Sequence, residues 1–130
     1  MTGVPLERLS TDTVVQMARA HGAQPPCTQC APFKSAGWSS WPAGADESPL
    51  AAMGTLWLPD EPEPTLDEWR TPGLDAWSDL APLSLQHYPA NRCSVWACRA
   101  CRKPFLRYTE YGGYYIDHRL RELHPDRLVD

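Results

Sequence analysis

Between residues 105 and 120 apolar and polar side chains alternate with a period of two: FLRYTEY runs into Gly112-Gly113 and out again through YYIDHRL. Such alternation belongs to half-buried β-strands, and a Gly-Gly pair between two such runs predicts a hairpin closed by a two-residue primed turn. With Gly112 and Gly113 as the loop, Tyr111 stands opposite Tyr114, Thr109 opposite Ile116, Arg107 opposite His118 and Phe105 opposite Leu120. That face carries Phe105, Tyr111, Tyr114, Ile116 and Leu120 and is predicted to meet the core. The other pairs Glu110 with Tyr115, Tyr108 with Asp117 and Leu106 with Arg119, and is predicted to meet solvent or a partner. Ser94–Cys98 reads as the strand before, which completes a three-stranded antiparallel meander.

Near the N-terminus the period lengthens. Val14, Met17, Ala18 and His21 fall on one stripe at helical spacing, within a helix or turn-plus-helix predicted over Pro5–Ala20. Ser10 is its predicted N-cap, Gly22 its stop, and Leu9 with Val14 its hydrophobic staple. The stripe is expected to pack on the sheet, with His21 as part of that packing.

No period is sustained between these ends. Leu50–Leu58 predicts a strand ending at Pro59, with Met53, Thr55 and Trp57 on one side. Thr65-Leu66-Asp67-Glu68 has the Thr-x-x-Glu form of a capping box and predicts a short helix. Leu74–Leu80 predicts another helical turn around Trp77, and Pro82–Asn91 an extended connection. Residues 31–49 predict a loop anchored by Trp38 and Trp41. No internal repeat is visible.

Composition supports this outline. Fourteen prolines in 130 residues, against a usual ~5%, disfavour long helices through the middle. The predicted class is α+β: an N-terminal helix (1–24), a first cysteine pair and loop-rich, Pro-rich insertion (25–92), and a second pair with the β-meander (93–130), all in a single zinc-stabilised domain. No run approaches the ~18 apolar residues of a membrane span, and MTGVPLERLS lacks the apolar centre of a secretory signal. A cytoplasmic protein without a membrane partner is expected. The net charge of −4 is uneven: residues 1–91 hold four Lys/Arg and eleven Asp/Glu, residues 92–130 eight and five. An acidic body carrying a mildly basic sheet argues against general affinity for nucleic acid.

The candidate chemistry lies in the cysteines. Cys27-Thr28-Gln29-Cys30 and Cys98-Arg99-Ala100-Cys101 are two C-x-x-C pairs, each followed by a phenylalanine, Phe33 and Phe105. Two such turns can close a tetrahedral Cys₄ site around structural Zn²⁺, with Cys27, Cys30, Cys98 and Cys101 as ligands. The long gap between the pairs exceeds that of compact two-knuckle motifs, but closure entropy grows only logarithmically with loop length. Disulfides are disfavoured because nothing exports the chain, and a thioredoxin-like role would need its C-x-x-C at a helix start. Cysteines that merely fill core are the plain alternative. Cys93 reads as a buried or free thiol. The Pro26-Cys27-x-x-Cys30 run matches half of a zinc deaminase motif, but His21-Gly22-Ala23 lacks the required glutamate. A closed Cys₄ site offers no position for an activated water, and His87, His118 and His124 have no nucleophile motif beside them, so no enzyme is expected.

The paired turns resemble zinc ribbons, a likeness confined to the metal ligands. The tail FLRYTEYGGYYIDHRLREL resembles small bacterial immunity proteins encoded beside secreted toxins, and implies no catalytic residues. The zinc-ribbon likeness implies no single function; the acid-rich segment 60–68, six tryptophans and the aromatic meander, together with the likeness of the tail, point to a zinc-binding protein-interaction module that occludes a toxin. Candidate contact residues are Asp60, Glu61, Glu63, Asp67 and Glu68, stiffened by Pro62 and Pro64, together with Tyr108 and Tyr115; a basic toxin domain is the expected partner. The alternative is a zinc-ribbon nucleic-acid binder using Arg99, Arg102, Lys103, Arg107, Tyr108, Arg119 and Arg121.

Overall fold

The computed structural model describes residues 6–75 and 77–129. One helix, α1, spans Thr11–His21 and begins where Ser10 accepts the Thr13 backbone N–H. It ends at Gly22, whose φ of 76° suits a residue without a Cβ and whose N–H caps the Ala18 carbonyl. Val14, Val15 and Ala18 are its buried residues, and Leu9 joins the same cluster. Pro5, where the predicted span began, lies outside the described residues.

Five antiparallel strands form one sheet: β1 (Ser39–Ser40), β2 (Leu50–Thr55), β3 (Ser94–Cys98), β4 (Pro104–Tyr111) and β5 (Ile116–Glu122), in the order β1-β5-β4-β3-β2. The predicted meander is its centre, widened by an edge strand on each side. β1 lies within the stretch expected to be loop; it pairs Ser39 with Leu120 and Ser40 with Arg119, and Trp41 N–H extends it to the His118 carbonyl at 2.7 Å. β2 stops at Thr55, short of the predicted Leu58, after a bulge between Ala52 and Gly54.

The hairpin register differs from the sequence reading. Tyr111 pairs with Ile116, not Tyr114, Phe105 with Glu122 and Leu106 with Arg121. The loop is therefore the four residues 112–115, closed by Gly112 N–H donating to the Tyr115 carbonyl at 2.9 Å. A two-residue shift preserves the faces and changes only the partners, because side chains alternate with period two.

The assignment of core and solvent faces also changes. On the Phe105 face, Phe105 and Leu120 pack with Cys30, Phe33, Leu50 and Cys98, whereas Tyr111, Tyr114 and Ile116 at the tip stay exposed. The opposite face is core as well: Leu106 and Val95 meet Val14, Ala18, Trp38, Leu56, Leu83 and Leu85. Both faces are covered because residues 56–91 fold back over the second one. That segment has neither predicted helix. Around Thr65 the hydroxyl accepts the Asp67 N–H, and Glu68 bridges Tyr88 instead of opening a helix. Around Trp77 there are only turns among the described residues. Pro82–Asn91, expected extended, ends in a 3₁₀ turn, Ala90–Arg92.

A buried ion pair fixes the first cysteine segment to the sheet. Lys103 and Glu122, both nearly inaccessible, meet at 3.1 Å. The Lys103 ammonium also donates to the Gln24 carbonyl at 2.7 Å, while Glu122 accepts the Ser35 N–H at 2.6 Å. Losing one partner alone would strand a buried charge, at a cost of about 3–5 kcal/mol.

Candidate metal centre

Each C-x-x-C pair sits on a turn that the backbone braces. Cys98 ends β3, and its carbonyl accepts the Arg102 N–H at 2.9 Å while its N–H donates to the Lys103 carbonyl at 2.9 Å. Closing this turn places Arg102 at φ 71°, a left-handed conformation that L-residues with a Cβ disfavour. In the first pair, Cys30 opens a 3₁₀ turn over Ala31–Phe33, with Phe33 N–H donating to its carbonyl at 2.9 Å. Phe33, three residues after Cys30, and Phe105, four after Cys101, both pack in the cluster that holds Cys30 and Cys98.

The two turns meet. Cys27 Sγ lies 3.8 Å from Cys30 Sγ and 3.6 Å from Cys98 Sγ, and Cys30 Sγ lies 3.7 Å from Cys101 Sγ. All four ligand atoms fall within 4.8 Å of one another. A tetrahedron with ~2.3 Å metal–sulfur bonds has edges of about 3.8 Å, whereas a disulfide would bring two sulfurs to about 2.05 Å. This is a metal-type site. Cys30 and Cys98 are buried, Cys27 and Cys101 partly exposed. The Cys30 backbone N–H, and after it that of Gln29, pulls the Cys27 thiol down to about 6, while burial pushes the Cys30 thiol up. N–H groups aimed at sulfur favour the thiolate a metal requires, and the Cys101 N–H approaches Cys98 Sγ at 3.5 Å in the same sense. With four protein donors the arrangement has no open position, as in structural rather than catalytic sites.

Cys93 is separate. It is buried in the helix-side core, donates to the Pro89 carbonyl at 3.3 Å, and has its thiol pushed up by burial. His21 has both ring nitrogens buried without a partner among the described residues, and burial lowers its pKa. His87 makes a contact that its sequence neighbours did not suggest: Ser84 Oγ lies 2.7 Å from its Nδ1.

The predicted contact residues divide. Glu61 binds Arg8 at 2.9 Å, Glu63 binds Arg92 at 3.1 Å and Glu68 binds Arg70 at 3.0 Å, while the carboxylates of Asp60 and Asp67 have no partner among the described residues. Tyr115 is exposed at the hairpin tip, but Tyr108 is half-buried against Trp38 and Tyr88, with Arg119 donating to its hydroxyl at 3.0 Å. An open groove of about 500 Å³ is lined by Glu63 and Leu66 from the acidic segment and by Tyr108, Glu110 and Tyr111 from the hairpin. It joins two regions that the sequence could only name separately.

No protein family, curated protein or solved structure matches the chain. No described helix is long and apolar enough to cross a membrane.

Proposed function

We propose that the chain is a non-enzymatic protein-binding module held together by structural zinc, and that it occludes a basic partner in the manner of an immunity or antitoxin protein. The observation that carries the metal is the gathering of four cysteine sulfurs from two distant turns within 4.8 Å of one another, three of the separations being 3.6–3.8 Å. Four thiolates in tetrahedral array suit zinc or a single iron, and zinc is the assignment because the site needs no redox chemistry to do its structural work.

The binding role is supported by the groove and by what surrounds it. Tyr111, Tyr114, Tyr115 and Ile116 extend beyond both cores, and tyrosine is a favoured binding anchor. Asp60 and Asp67 give the neighbouring surface negative charge, which steers a basic partner. The nucleic-acid alternative has less support because most of its cations are engaged internally. Lys103 is buried against Glu122, Arg107 stacks between Trp41 and Trp96 and pairs with Glu47, and Arg119 pairs with Glu110 and Asp117. Arg99 and Arg102 remain exposed.

Metal analysis of the purified chain tests the first half: one zinc per chain is expected, and finding no metal overturns it. For the second half, the full chain is used to capture a partner, and binding of the purified pair is measured across salt concentrations with Leu66→Ala and Tyr111→Ala. Weaker protein binding by these variants supports the groove. Capture of nucleic acid alone, with a steep salt dependence, overturns it.

A further inference from the structure

Arg121 has the environment of a core residue. It is 1% exposed, lies on the helix-side face of β5 opposite Leu106, and is the largest fully buried side chain described. One Nη2 bond to the Ala81 carbonyl is the only hydrogen bond of its guanidinium to a described residue, and its buried Nε has no partner there. No carboxylate among the described residues forms an ion pair with it; the nearby Asp79 charge and the Trp38 ring, 6.0 Å from its Cζ, favour the cation only from a distance. A cation in this position ordinarily has a compensating charge, because desolvating a guanidinium without one is costly.

The same side chain lines a cavity of about 60 Å³, shared with Trp38, Ser84, His87, Trp69 and Arg70. The volume admits a small polyatomic ion and is far below the ~300 Å³ at which drug-sized ligand sites begin. Trp69 and Arg70 are exposed and mark the side that meets solvent. Of the two acids in the lining, Glu68 is paired with Arg70 at 3.0 Å, and Asp75, which accepts the Trp77 N–H at 2.9 Å, is exposed to solvent that screens its charge. The cavity therefore combines a buried guanidinium, lacking an ion pair and with its Nε unsatisfied among the described residues, with the Ser84–His87 hydrogen-bonding pair on its wall.

We infer that this cavity is a binding site for a small carboxylate anion, of the size of acetate, with the Arg121 guanidinium as its charged anchor. Carboxylate oxygens match the planar N–H donors of a guanidinium better than a spherical ion does, since two acceptors can engage neighbouring donors. The site lies on the opposite face of the sheet from the cysteine centre, so it does not depend on the metal assignment.

The test is acetate titration of the metal-loaded full chain at constant ionic strength, following the assigned Arg121 Nε–H resonance and, in parallel, thermal stability. The expected result is a saturable displacement of that resonance, with a melting temperature that rises with the logarithm of acetate concentration. Chloride should do markedly less. In Arg121→Met the acetate-dependent stabilisation should vanish; if that variant does not fold, the wild-type resonance still decides. An Arg121 signal that stays fixed while acetate is raised, an equal response to chloride, or full acetate stabilisation in a folded Arg121→Met protein overturns the assignment.

Discussion

Cys27 Sγ lies 3.6 Å from Cys98 Sγ, although 71 positions separate the two residues in the chain. Among the described residues, the other contacts that hold the first cysteine turn to the sheet are chiefly Phe33, the Lys103–Gln24 bond and the Glu122–Ser35 pairing. A metal bridging the two turns is therefore expected to contribute to folding directly; in small zinc-finger peptides the binding free energy reaches ~10–16 kcal/mol. Chelation should lower the melting temperature and raise hydrogen exchange first over residues 23–35. Cys30→Ser combined with Cys101→Ser should reproduce that loss. Unchanged stability after either treatment would remove the metal from the account of the fold.

Arg102 follows the second cysteine turn at φ 71°, where a Cβ is unfavourable by roughly 1–2 kcal/mol. Its side chain is exposed and makes no described contact, so nothing offsets that strain. Arg102→Gly relieves it but adds unfolded-state entropy of ~0.5–1 kcal/mol. The expected net is a stabilisation of up to about 1 kcal/mol, read from chemical denaturation of the metal-loaded protein. A loss of stability would mean that the Arg102 side chain contributes something its contacts do not reveal.

Local signals proved readable in the sequence, and long-range ones did not. Ser10 and Gly22 bound the helix because caps act on adjacent backbone groups, and Ser94–Cys98 and the four cysteines could be read from the residues themselves. The hairpin faces were legible because they depend only on alternation. Its register was not: Gly112-Gly113 suggested a primed turn, yet Gly112 is taken up under the Tyr115 ring and neither glycine has left-handed φ. β1 is two residues long and exists only because β5 offers an edge. The second core was hidden for a similar reason. Leu56, Leu83 and Leu85 come from an aperiodic, proline-rich stretch, and Arg121 reads as a surface charge until that stretch is folded over it.

Tyr88 and Tyr108 should make the protein sensitive to alkali. Burial, reinforced for Tyr88 by its hydrogen bond to Glu110, pushes both phenols up, Tyr108 to about 12 from an ordinary 10.0. A folded-state pKa above the unfolded value means that the neutral phenol contributes stability fully below pH 10.0. That contribution is lost as pH rises through about 12 for Tyr108. Thermal stability should thus fall over this window, and the fall should be shallower in Tyr108→Phe. Tyrosinate absorbance, taken as wild type minus each Phe variant, should appear late for both residues. Appearance at the ordinary value would show that water reaches these hydroxyls.

The acidic segment separates a folding role from a binding role. Glu61 accepts the Leu58 N–H and pairs with Arg8, contacts that hold its carboxyl below the usual range, and Glu63 pairs with Arg92, itself stacked on Tyr88. Reversing Glu61 and Glu63 to Lys would set new cations against Arg8 and Arg92, and should lower the melting temperature. Asp60 and Asp67 are exposed and their carboxylates unpaired among the described residues, so reversing them should change stability by no more than about 0.5 kcal/mol. If the proposed basic partner is steered by this surface, Asp60→Lys with Asp67→Lys should slow its association and flatten the salt dependence of the on-rate while leaving dissociation nearly unchanged. Stopped-flow or surface-based kinetics on the folded double variant would decide. An unchanged on-rate would move the contact surface away from the acids and leave the tyrosine-rich hairpin tip to carry it.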